Sequence, residues 1–229
     1  MNVLVLTGAG ISAESGIPTF RDSNGLWRGY RPEEVATPEA FAREPELVYQ
    51  FYNERRRKLL DALVEPNAAH HALAKFEEQH TGNFLLITQN VDDLHQRAGS
   101  QNVLPMHGEI LKARCLETGS VVPWRADLER HSRSSDAPGQ LRPHIVWFGE
   151  QPFGLEKISQ AAANADLFVA IGTSAVVYPA AGIVNCTQKS CRTVEINTVD
   201  TPQSDAFGES LRGLASEQVP QFFSGLMTR

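Results

Sequence analysis

A short apolar run that ends in a glycine-rich turn is the feature that most restricts how this chain can fold. Val3-Leu4-Val5-Leu6 is continuously hydrophobic, and Gly8 and Gly10 follow almost at once. Such a run predicts a parallel strand covered on both faces. Glycines at the end of that strand let backbone N–H groups approach a phosphate closely. The pattern therefore predicts an α/β fold that holds a dinucleotide pyrophosphate at the end of its first strand.

Strand-like runs recur along the chain, with helical patterns between them, at 3–6, 84–87, 167–171 and 194–196. This alternation predicts a Rossmann-like parallel sheet with helices on both faces. Polar residues directly follow the later runs, and ligands collect at the carboxyl ends of strands in such sheets. We therefore expect these residues to meet in one crevice.

The length of 229 residues suits one domain with a single sizeable core. The helical stretch after the first strand interrupts the alternation of strands and helices. This interruption predicts a small inserted lobe. We expect a Rossmann-like core of about 1–24, 67–108 and 146–229, and a small lobe of about 25–66 and 109–145.

Composition excludes several classes of protein. Hydrophobic content is 41%, the net charge is −6, and no apolar run approaches the roughly 20 residues that span a bilayer. The first strand begins at Val3, which leaves no room for a targeting segment before it. The one dense basic cluster, at 55–58, lies in a helical pattern and not in a tail. We expect a cytoplasmic monomer that binds neither membrane nor nucleic acid.

A longer string around the glycine turn is more specific than the glycines alone. Residues 8–21 read GAGISAESGIPTFR, which resembles the cofactor loop of the sirtuins, the NAD-dependent protein lysine deacylases. Five further blocks resemble sirtuin motifs in family order, so that the resemblance reaches from Gly8 to Ala215. They are TQNVDDLH at 88–95, MHGE at 106–109, VWFGE at 146–150, GTS at 172–174 and EIN at 195–197.

The resemblance implies that NAD is consumed as a co-substrate and that nicotinamide and 2′-O-acyl-ADP-ribose are released. His107 would be the general base, a task that suits a side chain with an unperturbed pKa near 6.5. Asn90 and Asp92 would hold the nicotinamide carboxamide, and Phe20 would shield the reacting ribose from water. The implied catalytic residues are His107 and Asn90. The implied cofactor contacts are Gly8, Ala9, Gly10, Ser12, Ala13, Ser15, Gly16, Phe20, Arg21, Trp27, Gln89, Asn90, Val91, Asp92, Gly172, Thr173, Ser174, Asn197, Thr198 and Ala215.

A helical pattern over 45–63 carries the predicted acyl specificity. At about 100° per residue, Arg55 falls within the same apolar stripe as Tyr52 and Ala62, whereas Arg56 falls toward its edge. A guanidinium aimed inward needs an anion or another acceptor. Tyr52 and Arg55 resemble the Tyr-x-x-Arg pair of the sirtuins that accept succinyl and malonyl lysine. An internal ion pair from Arg55 to a nearby glutamate is the alternative.

The other substrate contacts are also implied by the resemblance. Ala36 matches a small residue that enlarges the acyl pocket, and the lysine tunnel would be lined by Val146, Trp147, Phe148 and Gly149. The expected partners are acyl-lysine proteins.

The cysteine pattern predicts that no zinc is bound. Most sirtuins hold a structural zinc with two cysteine pairs between the histidine motif and the VWFGE block. Here residues 109–145 contain only Cys115, and His131 and His144 do not stand at a paired spacing. Structural zinc needs four ligands.

Three other functions share parts of this sequence pattern. A dehydrogenase would need an acidic residue at the end of a second strand, whereas Glu33 and Glu34 lie in a turn before a helix. Protein ADP-ribosyl transfer uses the same cofactor pocket. A catalytically silent NAD or acyl-lysine binding module is the third, against which the joint presence of His107, Asn90 and Asp92 argues.

Overall fold

The computed structural model describes residues 1–19 and 29–227. Their elements are, in chain order, β1 (Val3–Thr7), α1 (Gly10–Ala13), α2 (Pro32–Val35), α3 (Pro38–Arg43), α4 (Pro45–Leu59), α5 (Ala68–Gln79), β2 (Phe84–Thr88), α6 (Leu94–Arg97), β3 (Val103–Pro105), β4 (Gly108–Cys115), β5 (Val121–Pro123), β6 (Leu141–Ile145), α7 (Leu155–Ala163), β7 (Leu167–Ile171), β8 (Arg192–Asn197), β9 (Glu209–Arg212) and α8 (Ala215–Met227), with 3₁₀ helices at Ala180–Cys186 and Ser204–Ala206.

A six-stranded sheet in the order β3-β2-β1-β7-β8-β9 forms the centre of the fold. Every neighbouring pair in it is parallel. Each residue of β1 and β7 is buried, as a strand covered on both faces requires. The α/β class and the Rossmann-like sheet are thus confirmed.

Alternate residues of the central strands pack against helices on opposite faces. Val3 and Val5 pack in a layer shared with α5 and α8, whereas Leu4 and Leu6 pack in a layer shared with α7 and the first 3₁₀ helix, and the two layers form the core around the sheet. The side-chain period of a strand produces this division. Because helices cover both faces of the sheet, a ligand can bind at the carboxyl ends of the strands, which are left uncovered.

A second core lies in the chain segments outside the central sheet. Helices α2 to α4 pack against an antiparallel sheet in the order β5-β4-β6. Phe51, Ile110 and Leu141 are among its buried side chains. This layer is the counterpart of the predicted small lobe, whose boundaries stay a prediction.

Helix α4 differs from its prediction at three points. It ends at Leu59 and not at residue 63, and Ala62 is exposed instead of lying on the buried face. The carboxylate of Asp61 accepts a bond from the Leu63 amide, a local turn that competes with helical hydrogen bonding. The buried arginine is Arg56, with 0% exposure, whereas Arg55 is only half-buried.

Arg56 is buried because two acceptors meet it, one from β4 and one from its own helix. Its Nε donates to the Ile110 carbonyl at 3.0 Å, and its Nη1 donates to Asn53 Oδ1 at 2.6 Å. Burial lowers the pKa of Arg56 to about 10. Asn53 also exchanges two hydrogen bonds with the Leu128 backbone, so this pair ties α4 to β4 and to the segment after β5.

Two buried histidines join α5 to α6. The rings of His70 and His95 lie with centroids 4.8 Å apart, and His95 Nε2 lies 3.0 Å from the Thr7 hydroxyl. Burial lowers the pKa of His70 to about 4 and that of His95 well below 6.5. Both rings are therefore neutral at physiological pH.

No helix among residues 1–19 and 29–227 is long and apolar enough to cross a membrane.

Candidate active site

A cavity of about 580 Å³ opens at the carboxyl ends of β1, β2, β7 and β8. Its walls come from the first glycine turn, the segment around Trp147 and the residues after β8. A smaller cavity of about 60 Å³ adjoins it, and Ala9, Thr19, Asn90 and Val91 line both. The crevice that the strand-end residues predict is therefore present.

Three glycines form the floor of the large cavity where β1 and β7 end. The Gly10 amide donates to the Gly172 carbonyl at 2.8 Å. A Cβ added to Gly8 or Gly10 would lie within 2.8 Å of the Gly172 backbone, and Gly172 itself has φ +60°. Only glycine allows the two turns to cross this closely. The crossing leaves a floor of bare backbone, which is what close approach to a pyrophosphate requires.

Side chains at three strand ends are linked to each other. Gln89, after β2, donates through Nε2 to the Thr173 hydroxyl at 3.0 Å. Asn197, at the end of β8, donates to the Thr173 carbonyl at 2.8 Å. Thr173 follows β7, so one hydrogen-bonded chain holds these ends together. Ser174 and Thr198 line the same cavity.

Asn90, Ser12 and Asp92 form a buried polar group between the two cavities. Asn90 Nδ2 donates to the Gly8 carbonyl and to Ser12 Oγ, and Ser12 Oγ donates to Asp92 at 3.0 Å. Asn90 Oδ1 is buried and accepts no hydrogen bond from the described residues. Burial raises the pKa of Asp92 to about 6. The group therefore offers a ligand one unpaired carbonyl oxygen and one carboxylate.

His107 lies between β3 and β4 and lines the large cavity. Its Nδ1 is 3.1 Å from the Gln89 carbonyl, which can only accept, so Nδ1 carries the proton. Burial lowers the pKa of His107, whereas the bond to Gln89 raises it by less. The ring is therefore neutral near pH 7, with the lone pair of Nε2 available as a base.

Trp147 and Tyr52 form the wall opposite the glycine turns. The Trp147 indole N–H donates to the Tyr52 hydroxyl at 3.0 Å, and the Arg142 guanidinium lies 3.3 Å above the indole ring. Arg142 itself binds Glu150 through two hydrogen bonds. Burial raises the pKa of Tyr52, so its hydroxyl stays protonated. That proton meets no acceptor among the hydrogen bonds of the described residues.

Backbone hydrogen bonds tie this wall to its neighbours. The Val146 amide donates to the His107 carbonyl, and the Phe148 amide donates to the Ala36 carbonyl, both at 2.9 Å. Val146, Phe148, Gly149 and Ala36 all line the large cavity.

Arg55 lines the smaller cavity and not the one that Tyr52 lines. Its Nη1 donates to the Phe51 carbonyl at 2.9 Å, and its guanidinium lies 3.2 Å above the Phe51 ring. The predicted pair is thus divided between two adjoining cavities.

Some predicted cofactor contacts do not line either cavity. Ala13, Ser15, Gly16 and Ala215 lie away from both, and Ser15 Oγ accepts from Asn67. Helix α1 is a single turn, so it adds little dipole to the site. Phe20, Arg21 and Trp27 lie outside the described residues.

The sequence interpretation missed other residues of the cavity walls. The strand-end rule could have found those just after β7 and β8, because they extend the predicted 172–174 and 197–198 segments. These are Val177, Tyr178, Pro179, Val199, Asp200, Thr201 and Pro202. Lys58, Leu59 and Ile110, in the smaller cavity, carried no such signal.

Among residues 1–19 and 29–227, no three His, Cys, Asp or Glu side chains stand close enough to hold a metal ion. Cys115 is buried, and its Sγ donates to Glu117 at 3.3 Å. Cys186 and Cys191 lie beside the central sheet, far along the chain from the small lobe.

The observed groups fit a dinucleotide. The glycine floor has no side chains to obstruct a pyrophosphate, and the unpaired Asn90 Oδ1 suits a ribose hydroxyl or an amide N–H. A parallel sheet with this floor, a neutral histidine and an aromatic wall is the architecture of a nucleotide-binding α/β enzyme.

Comparison with known proteins identifies the family within that class. Residues 8–179 match the Sir2 family. The chain belongs to the Sir2 family, the sirtuins. A protein of Rhodopirellula baltica named NAD-dependent protein deacylase is 58% identical over 234 residues, covering 98% of each chain. A protein of Escherichia coli K12 with the same name is 52% identical over 228 residues, covering 98% of this chain and 82% of the relative.

Solved structures agree with this assignment. A Sir2 homologue in complex with NAD superposes with a TM-score of 0.89 at 40% identity, covering 99% of this chain and 89% of the other. A Sir2 protein bound to an acetylated peptide gives a TM-score of 0.82 at 31% identity, covering 97% and 92%.

Proposed function

We propose that this enzyme is an NAD-dependent protein lysine deacylase that removes succinyl and malonyl groups, and also acetyl groups, from lysine side chains. NAD is its co-substrate. The observation that carries the proposal is that one cavity brings the glycine floor, the neutral His107 and the Trp147–Tyr52 wall together. Relatives of high identity that are named NAD-dependent protein deacylases support the coarser activity.

In this reaction NAD supplies a ribose carbon that becomes electrophilic as nicotinamide leaves. His107 takes a proton from the ribose hydroxyls through Nε2, while the Gln89 carbonyl keeps the Nδ1 proton and fixes the ring. The acyl carbonyl oxygen would bond to that ribose carbon as the bond to nicotinamide breaks, and the ribose hydroxyl that His107 deprotonates would then attack the acyl carbon. One water completes the reaction, so that the products are nicotinamide, 2′-O-acyl-ADP-ribose and the free lysine.

Asn90 and Asp92 hold the nicotinamide end. The unpaired Oδ1 of Asn90 and the carboxylate of Asp92 accept hydrogen bonds from amide or hydroxyl groups of NAD. Ser12 orients both side chains, since its hydroxyl accepts from Asn90 and donates to Asp92. This arrangement agrees with the catalytic role proposed for Asn90.

The acyl-lysine enters along Val146 to Gly149, with its backbone paired as an added strand. Tyr52 then donates its unused hydroxyl proton to the far end of the acyl chain. Ala36 leaves room beside it, because its side chain is a single methyl group that lines the same cavity.

Arg55 is the proposed partner of a substrate carboxylate. Its Nη1 donates to the Phe51 carbonyl, and its guanidinium lies over the Phe51 ring at the cavity that adjoins the one Tyr52 lines. A hydrogen bond to a carboxylate is roughly twice as strong as one to a neutral acceptor. In this proposal a succinyl or malonyl carboxylate attracts the guanidinium from the smaller cavity toward Tyr52.

Matched variants test this pocket. Arg55→Met keeps much of the side-chain stem and removes the charge, so kcat/KM on a succinylated peptide should fall by about one to two decades. The fall on the acetylated peptide should be much smaller, because an acetyl group offers nothing for the guanidinium to bind. Tyr52→Phe should act in the same direction more weakly. Arg57→Met, which removes the exposed ion pair with Asp127, is the control and should change neither value.

Equal losses on both peptides would assign Arg55 to an internal ion pair, and the dicarboxylic specificity would then be wrong. The deacylase assignment itself rests on a simpler assay, nicotinamide release from NAD with the succinylated peptide. Transfer of labelled ADP-ribose to protein without deacylation would favour the transferase, and no turnover would favour a silent binding module.

We also propose that the enzyme lacks the zinc of most sirtuins and is a cytoplasmic monomer without membrane or nucleic-acid partners. The single cysteine of residues 109–145 supports the first point. Three cysteines that form no disulfide support a reducing compartment. Elemental analysis, cell fractionation and light scattering test these points.

A further inference from the structure

Glu195 is a buried carboxylate that the proposed chemistry does not use. It lies in β8, two residues before Asn197, and is 1% exposed. It accepts hydrogen bonds from Thr201 Oγ1 at 2.6 Å, from Ser204 Oγ at 2.6 Å and from Arg212 Nη2 at 2.7 Å. Burying a carboxylate is costly unless such partners meet it. Both carboxylate oxygens therefore accept hydrogen bonds from residues that follow β8 in the chain.

One of these partners, Thr201, lies in the wall of the large cavity. Residues 198–202, the loop after β8, line the cavity, and Thr201 is one of them. Arg212 also binds Asp200 of the same loop, at 2.6 Å through Nη2 and 2.9 Å through Nε. Glu195 therefore holds the loop twice, directly at Thr201 and through Arg212 at Asp200.

The position of this loop indicates that it contacts the adenosine half of NAD. Asn90, Asp92 and His107 stand after β2 and β3, whereas the loop follows β8 on the opposite side of the glycine floor. With nicotinamide at Asn90 and the pyrophosphate over Gly8 and Gly172, the adenosine half must extend toward residues 198–202. This step rests on the proposed use of NAD.

We propose that Glu195 is a positioning residue that fixes the 198–202 loop in the shape that binds the adenosine half of NAD. It touches neither the reacting atoms nor the cavity. Its loss should therefore weaken capture of NAD without slowing the chemistry at His107.

Glu195→Gln is the principal test, since it keeps the shape and removes the charge and one acceptor. The KM for NAD, and the Kd for ADP-ribose measured by calorimetry, should each rise about tenfold. The kcat at saturating NAD should stay within about twofold of the wild-type value. The inhibition constant for free nicotinamide should not change. Glu209→Gln is the matched control, because it breaks the exposed pair with Arg192 between the same two strands and should alter none of these values.

A second variant covers the case in which Glu195→Gln fails to fold. Thr201→Val combined with Ser204→Ala removes both hydroxyl donors from the loop side and should raise the same Kd and KM. ADP-ribose affinity equal to that of the wild type in the folded variants would overturn the inference, as would equal losses in kcat and in affinity. A wild-type protein that neither binds ADP-ribose nor releases nicotinamide would instead contradict the proposed function.

Discussion

At His107, burial and hydrogen bonding act on different properties of one ring. Burial lowers its pKa, which keeps the imidazole neutral, and the Gln89 carbonyl selects which nitrogen carries the proton. A general base needs both conditions, since a charged ring cannot accept a proton and the other tautomer would present an N–H to the ribose. The backbone at the end of β2 thus fixes the His107 ring in the tautomer that the proposed general base requires.

Replacing His107 by Ala should abolish deacylation while ADP-ribose binding stays measurable, because in the proposed mechanism the imidazole acts after capture of NAD. In that mechanism the neutral ring is the active form. The acid limb of the kcat–pH profile should therefore fall below the ordinary histidine value of 6.5. A limb above 6.5, or a variant that loses binding and folding together, would assign His107 a structural role.

Single residues also show where sequence reasoning reaches its limit. His107 could be predicted to line the cavity because its sequence motif is specific. Helical periodicity placed Arg55 inward and Arg56 at the edge, whereas Arg56 is the buried one. The acceptors that bury Arg56 are the Ile110 carbonyl, which is remote in the chain, and Asn53, whose orientation depends on Leu128. Periodicity along one helix carries no information about such partners.

At the scale of elements, α4 is attached to the β4–β6 sheet through a polar junction. Asn53 is its centre, with bonds to Arg56 and to both backbone groups of Leu128. Because the junction is buried, each bond that is lost leaves a polar group without a partner.

Asn53→Ala should lower the free energy of unfolding by about 3 kcal/mol, because three buried groups lose their partners. Urea denaturation measures this change. Gln50→Ala, on the exposed side of the same helix, should stay within about 0.5 kcal/mol and serves as the control. A small loss at Asn53 would show that water replaces its bonds.

The packing of α5 against α6 should make stability sensitive to acid. The pKa of His70 is about 4 in the folded protein and near 6.5 when exposed, so its contribution is complete above pH 6.5. It is lost as the pH falls from 6.5 to 4, by at most about 3 kcal/mol. Thermal unfolding followed across this range measures the loss.

His70→Gln isolates this contribution. The Asn67 amide donates to His70 Nδ1 in a capping box, where glutamine can accept the same bond. The variant should therefore lose less stability between pH 6.5 and 4 than the wild type. His71→Gln, on the exposed side of α5, is the control, and an unchanged acid profile for His70→Gln would contradict the assignment.

At the scale of the whole molecule, the central sheet could be predicted from the sequence, whereas only part of the second core could be predicted. The four predicted strands agree with β1, β2, β7 and β8 because continuous apolar runs mark strands buried on both faces. Strands β4 to β6 either alternate buried and half-buried residues or are short. Their sequence pattern is therefore a weaker indication of a strand. The cavity wall after β8 follows from the strand-end rule, whereas the division of Tyr52 and Arg55 between two cavities depends on packing.

Hydrogen bonds and apolar packing, without zinc, should suffice to hold the second core. Purified protein should contain far less than one zinc per chain, and EDTA should change neither its activity nor its melting temperature. One tightly bound zinc per chain in elemental analysis would contradict this expectation. Activity that is lost on chelation and restored by zinc would do so as well.

Tyr52, which lines the large cavity, belongs to one hydrophobic core, whereas Ile196, which directly precedes the cavity-lining Asn197, belongs to another. If α4 sets the acyl preference as proposed, this separation makes the site modular in evolutionary terms, since the preference can change through α4 while the sheet keeps the floor proposed to bind NAD. Free-energy changes at independent sites add to within about 0.5 kcal/mol. Arg55→Met and Glu195→Gln should therefore combine additively in kcat/KM, and a large coupling energy would show that the two modules act as one.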